Sequence, residues 1–224
     1  MTQRIRAWLE ERPGALRTLP FLLFLGLTFC QELPGEESRY WVYAGKTVFG
    51  AWAVWLVRPM IAELGFRLSW SAVGIGLAVF AIWVGLDGWY PVLQEGRARW
   101  NPFDLANVGA AAAWAFVLVR LIGSTLIVPV LEEVFYRSFL YRWIAKPEFE
   151  AVPLGGFLLK PFVISAVVFG LGHREWLPGI LCAMAYQYLT LRKGRLDEAI
   201  AAHAVTNLSL GLWIVLKDEW QYWS

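Results

Sequence analysis

Three short polar clusters stand inside stretches that are otherwise almost wholly apolar. They are Glu132-Glu133-Val134-Phe135-Tyr136-Arg137, Phe169-Gly170-Leu171-Gly172-His173 and His203-Ala204-Val205-Thr206-Asn207. The chain has only two histidines, and both lie in these clusters. Carboxylates and imidazoles are the usual general acids and bases, and imidazole and amide N–H groups can stabilise a developing oxyanion. Two carboxylates, two imidazoles, a guanidinium and an amide in apolar context have the make-up of a reaction site.

Each spacing carries local meaning. His203 and Asn207 are four apart and share one helix face. Glu133 and Arg137 are also four apart, in the favourable acid-before-base order. Adjacent Glu132 and Glu133 point about 100° apart on a helix, so they serve different ends. Glu133 is expected to pair with Arg137 structurally while Glu132 faces a cavity. Gly170 and Gly172 leave little bulk beside His173, which lets membrane helices approach closely. Taken singly, each cluster has a plain structural explanation: a helix-surface ion pair, a core histidine, an asparagine holding two helices together. Thr206 and Ser209 are expected to bond back to their own helix, and the isolated Lys46 and Arg120 to snorkel or to pair. Three clusters together favour function, because every buried polar group adds cost unless something offsets it.

The elements that position these groups are membrane helices. Hydrophobic residues make up 58% of the chain and charged residues 17%, where a soluble domain would carry roughly a quarter charged. Mean hydropathy is +0.49. The aromatic clusters Tyr40-Trp41, Trp89-Tyr90 and Trp220-Gln221-Tyr222-Trp223 fall at the ends of apolar runs, where interfacial belts are expected. A net charge of +2 without a dense basic patch excludes a nucleic-acid binder. Cys30 and Cys182 lie in apolar runs and form neither a disulfide framework nor a metal-type spacing.

Apolar runs fall at about 18–33, 40–57, 70–87, 106–142, 157–172, 176–191 and 197–216, near the roughly 20 residues that a span needs. The expected fold is all-α: a polytopic helical bundle of about seven spans, within a range of six to eight. The run Leu19 to Phe29, preceded by Arg4, Arg6, Arg12 and Arg17, has signal-peptide features but reads as a retained first span. The fourth run, broken by Asn107-Val108-Gly109, Arg120 and Pro129, reads as a surface helix leading into a span, or as two segments. With a cytoplasmic N-terminus, about twelve Lys and Arg lie inside and about five outside. The loop Gln31-Glu32-Leu33-Pro34-Gly35-Glu36-Glu37 is then exterior. At about 1.5 Å per residue, all three clusters fall near mid-membrane, at depths that agree well enough for one site. Residues 1–105 read as accessory helices and 106–224 as the core that bears the motifs.

The three motifs, in this order, resemble those of the CAAX prenyl protease and bacteriocin-processing (CPBP) family of intramembrane glutamic endopeptidases. Glu132-Glu133 with Arg137 matches EExxxR, Phe169 with His173 matches FxxxH, and His203 with Asn207 matches HxxxN. The segments Ile127-Val128-Pro129-Val130-Leu131 and Phe135-Tyr136-Arg137-Ser138-Phe139-Leu140 look most like the bacterial CAAX-protease-related subgroup associated with exosortase systems. The resemblance implies an intramembrane peptidase that needs no metal or other cofactor and acts on a membrane protein or peptide from the bacterial inner membrane. It implies that Glu132 and His173 activate a water while His203 and Asn207 stabilise the oxyanion. Glu133, Arg137 and Phe169 would be supporting residues. Two other readings compete: a zinc-dependent membrane protease, since two His and a Glu can ligate zinc, and a scaffold or transport component with buried charges on an ion or proton path.

Overall fold

The computed structural model describes residues 2–35, 37–93, 99–105 and 108–223. Among them there are helices and no strand. Eight helices organise the chain: α1 (Thr2–Glu10), α2 (Pro13–Phe29), α3 (Ser38–Val57), α4 (Trp70–Gly85), α5 (Ala110–Ala145), α6 (Leu159–Leu171), α7 (Trp176–Lys193) and α8 (Asp197–Lys217). Their ends follow from local chemistry. Pro13 opens α2, where its missing N–H costs nothing. The Ser69 side chain caps α4 by accepting from the Ala72 N–H at 3.1 Å. Gly194, at φ 63°, terminates α7 in the left-handed conformation. Asp197 and Glu198 then sit in the first turn of α8, where negative charge complements the helix dipole.

By length and apolarity α5 and α8 can each cross a membrane, while α2, α4 and α6 are apolar but shorter. The first apolar run begins earlier than its hydropathy suggests, at Pro13, and ends at Phe29. Cys30 follows it and is exposed rather than buried. Asn107 and Glu36, both noted in the sequence, lie outside the described residues.

The fourth run is neither a surface helix feeding a span nor two segments. It is one continuous helix, Ala110–Ala145, with two π-helical stretches, Gly123–Ile127 and Val134–Leu140. The first explains how Pro129 is accommodated. A proline lacks the N–H and crowds the carbonyl of the preceding turn, and the wider π turn just before it relieves both. Between the two stretches lies a short α-helical piece, Val128–Glu133, that carries both glutamates. π turns occur often at functional sites because they re-aim the side chains beyond them.

Helix α8 is central, packing most extensively on α4 and also on α7 and α5; α6 and α7 form the other close pair. Small residues allow both contacts. A Cβ on Gly76 of α4 would stand 2.6 Å from the Ala202 carbonyl oxygen of α8, and one on Gly170 of α6 would stand 2.6 Å from the Trp176 carbonyl oxygen. The Thr206 hydroxyl fixes the first crossing. It lies 2.8 Å from the Gly76 carbonyl and 3.1 Å from Ala202 of its own helix, and accepts from Tyr186 of α7 at 2.7 Å.

Candidate active site

Glu132 and Glu133 leave α5 in different directions, as adjacent helical residues must. Glu133 is fully enclosed. Its Oε1 accepts from His203 Nδ1 at 3.0 Å, and its Oε2 forms an ion pair with Arg137 Nε, also at 3.0 Å. The latter contact is electrostatic rather than a directed hydrogen bond, since Oε2 makes none. Glu132 keeps 14% of its side chain exposed. Its Oε2 lies 3.9 Å from His203 Nε2 and makes no hydrogen bond among the described residues. His203 thus stands between two carboxylates, held tightly by one and loosely by the other.

That arrangement sets the imidazole. A carboxylate can only accept, so Nδ1 carries the proton shared with Glu133 and Nε2 is left for the side facing Glu132. The ring lies flat against Tyr186, with centroids 4.9 Å apart and planes 25° apart. The Arg137 guanidinium stacks over Phe169 at 4.8 Å and donates to the Ala183 carbonyl at 3.3 Å, but its Nη1 has no partner. Arg137 therefore ties α5 to both α6 and α7.

His173 departs from the sequence expectation. It is not inside a helix but in the turn just beyond α6, whose last residue is Leu171. The turn is tight, with Gly172 N–H donating to the Phe169 carbonyl and His173 N–H to the Gly170 carbonyl. His173 Nδ1 lies 2.8 Å from the Phe169 carbonyl oxygen, and the imidazole stacks on the Phe169 ring at 4.7 Å. Trp83 of α4 meets it edge-on at 5.7 Å. The mid-helix depth argument therefore fails for this residue; Gly172 and the short α6 put the histidine at the helix end. Phe169 nevertheless joins the two imidazoles, since its ring also meets His203 at 6.2 Å.

Asn207, one turn after His203, donates from Nδ2 to the Ser124 carbonyl at 2.8 Å. Ser124 belongs to the first π stretch of α5. The bond joins α8 to α5 and uses one of the two amide hydrogens, leaving the other free. Among the described residues, no group of three or more His, Cys, Asp or Glu side chains is placed to hold a metal ion.

A second polar node, which no motif announced, lies one residue beyond Arg137. The Ser138 hydroxyl donates to Glu63 and accepts from Arg17 Nε at 2.8 Å and Arg142 Nη2 at 2.9 Å. Glu63 also pairs with Arg17 at 3.0 Å and with Arg142 at 3.2 Å. Phe149 lies under both guanidinium groups, at 5.3 and 5.2 Å. Burial pushes the Glu63 carboxyl up, but the Ser138 hydroxyl and the Arg17 charge outweigh it and hold it below its ordinary value. The residues come from α2, the α3–α4 connection and α5, and one of the bonds between them joins positions 121 apart, so no local spacing could have shown the node.

Lys46 and Arg120 do not pair with carboxylates among the described residues. Lys46 donates to Thr28 Oγ1 at 2.8 Å, Arg120 to the Trp223 carbonyl at 2.6 Å, and both lie over the Tyr43 ring.

Residues 113–209, which include all three polar clusters, match the model of a family described as type II CAAX prenyl endopeptidase, Rce1-like. No curated protein and no solved structure matches the chain. The matched family consists of integral-membrane proteases that act on membrane-associated protein substrates. Through the segment 113–209 the chain is therefore similar to the Rce1-like type II CAAX prenyl endopeptidases of the CPBP group.

Proposed function

We propose that this chain is an intramembrane endopeptidase in which Glu132 is the general base of a metal-independent hydrolysis. The observation that carries the reading is the contrast between adjacent carboxylates. Glu133 is used up by His203 and Arg137, whereas Glu132 keeps a buried oxygen with no hydrogen bond beside an oriented imidazole. A carboxylate oxygen left unpaired in a sheltered site is available to take a proton from water.

In this mechanism Glu132, with His173, removes a proton from water as its oxygen attacks the scissile carbonyl. The C–O bond forms, the carbonyl π electrons move to oxygen, and the oxyanion meets donors from His203 and Asn207. The donors are the free hydrogen of the Asn207 amide and the Nε2–H of His203 in its imidazolium form, whose Nδ1–H is held by Glu133. Collapse of the intermediate breaks the C–N bond, and the proton held by Glu132 passes to the leaving amine. Glu133 and Arg137 position His203, and Phe169 supports both imidazoles and the guanidinium.

The substrate class is a membrane-associated protein or peptide, and a prenylated peptide ending in a CAAX sequence is the first probe. Around the site, seven helices, α2 to α8, span the bilayer of a bacterial inner membrane with the N-terminus cytoplasmic, and residues 1–105 form the accessory wall. The test is turnover of that peptide by purified protein after strong chelation, together with elemental analysis. Full activity without stoichiometric zinc is expected, and Asn207→Ala should lower turnover by about 10²–10³-fold, as for one oxyanion donor. Stoichiometric zinc, with activity lost on its removal and restored on its return, would overturn the mechanism.

A further inference from the structure

Among the described residues, the buried cations are Arg17, Lys46, Arg137 and Arg142. Arg17 and Arg142 pair with Glu63, and Arg137 pairs with Glu133. Of these four, Lys46 alone has no described carboxylate at ion-pair distance. Its ammonium group lies 4.6 Å from the Tyr43 ring centre and 5.0 Å from that of Phe24. The Arg120 guanidinium also lies over the Tyr43 ring, at 4.7 Å, and covers Trp100 at 4.6 Å. Trp100 packs on Tyr40 with centroids 4.8 Å apart, and Arg39 lies over Tyr40 at 5.2 Å. Cations and rings therefore form one row, with rings between successive cations: Arg39, Tyr40, Trp100, Arg120, Tyr43, Lys46. Arg39, Tyr43 and Lys46 follow the i, i+4, i+7 pattern, so one face of α3 carries half the row.

The row is rich in positive charge and short of carboxylates: Lys46, Arg120 and Arg39 each donate to a neutral oxygen, of Thr28, Trp223 and Tyr40. Its three cations meet a single carboxylate among the described residues, the exposed Glu32, and that only at 3.9 Å from Arg39. Among the described residues, Nε and Nη1 of Arg39 find no hydrogen-bond partner, nor does Nε1 of Trp100, a residue 2% exposed. Aromatic faces attract cations but neutralise no charge. In apolar surroundings the surplus charge remains costly until an anion meets it. A tetrahedral oxyanion offers several acceptor oxygens at once, and guanidinium forks match it well. Arg39 and Arg120 are half-buried, so two members of the row keep some exposed surface.

We infer that the row Arg39, Trp100, Arg120 and Lys46 binds a phosphate group, carried by an anionic phospholipid or free in solution. This site is independent of the peptidase reading, since none of its residues serves that mechanism.

The test titrates the full chain in neutral detergent with phosphatidylglycerol, phosphatidylcholine and inorganic phosphate, following Tm and ligand retained in native mass spectra. Phosphatidylglycerol should raise Tm and remain bound, while phosphatidylcholine should do neither. A parallel response to inorganic phosphate assigns the site to free phosphate, and a response to phosphatidylglycerol alone assigns it to the lipid headgroup. Arg39→Gln, a mild change at the surface end, should weaken binding about tenfold or more, and Lys46→Met should weaken it too. Arg39→Lys, which keeps charge but loses the fork, should fall between. Arg195→Gln, outside the row, should bind as the wild type does. If both row variants bind like wild type, or if no phosphate-bearing ligand raises Tm, the row is a closed cation–ring stack and the inference is overturned.

Discussion

Arg137 and Ser138 are neighbours on one π-helical stretch of α5, yet they serve two polar clusters of opposite character. On the Ser138 side, Arg17, Glu63 and Arg142 are cross-linked through several hydrogen bonds and ion pairs, and none of their buried polar atoms lacks a partner. On the Arg137 side, bonds are fewer and polar atoms are left over: Glu132 Oε2, Arg137 Nη1 and, nearby in the chain, Thr125 Oγ1. A saturated network holds elements in place, because each group has what it needs. An unsaturated one keeps capacity for a ligand or for a reacting water, at a cost in stability. The difference separates anchor from proposed reactive site more clearly than the residue types do, since both clusters contain arginine and glutamate.

The sharpest way to break this contrast is Arg137→Ala. It strands Glu133 as a buried charge, and loss of one partner of a buried pair costs about 3–5 kcal/mol. Thermal unfolding in detergent should show a larger drop than for any single change at Glu63 or Ser138. Unchanged stability with lost turnover would place Arg137 among the reacting groups instead. Glu63→Gln comes next, at about 1.5–3 kcal/mol for a charged acceptor shared by two arginines. Ser138→Ala should cost less, about 1–2 kcal/mol, and a double-mutant cycle with Glu63→Gln should give coupling above about 0.5 kcal/mol. Coupling near zero would show that the node is not one network.

The smallest effect is one of pH. The folded-state value of Glu63 is depressed, so its stabilising contribution is full above the unfolded carboxylate value. It is lost as pH falls through the lower folded-state value. The Tm advantage of wild type over Glu63→Gln should therefore stay constant from pH 7 to about 5 and shrink below about 4. An advantage that fades already near neutrality would contradict the assigned shift.

Much of the fold and the site is legible in the sequence because the relevant signals are short-range. The helical class follows from apolar runs, and the Glu133–Arg137 contact from a four-residue spacing. The different surroundings of Glu132 and Glu133 follow from the helical rotation between neighbours. What cannot be read has a common cause. The Arg17–Glu63–Ser138–Arg142 node joins residues from distant parts of the chain, and only packing brings them together. Spacing misplaces His173 because four residues after Phe169 looks helical, whereas Gly172 lets the chain turn out of α6. The length of the fourth run and the polar residues and Pro129 within it suggest a break, because π-helical turns leave no signature in the sequence. Lys46 and Arg120, expected to snorkel or pair, are met by aromatic rings from other elements, a solution that charge counting cannot reveal.

The central claim is that Glu132 reacts while Glu133 positions, and Glu132→Gln tests it most directly. Glu132 makes no hydrogen bond through its buried oxygen, so the amide should fold with a Tm close to wild type. Turnover of the prenylated CAAX peptide should nevertheless fall by about 10²–10⁴-fold, the usual worth of a general base. A folded Glu132→Gln protein that cleaves the peptide at the wild-type rate would contradict the account.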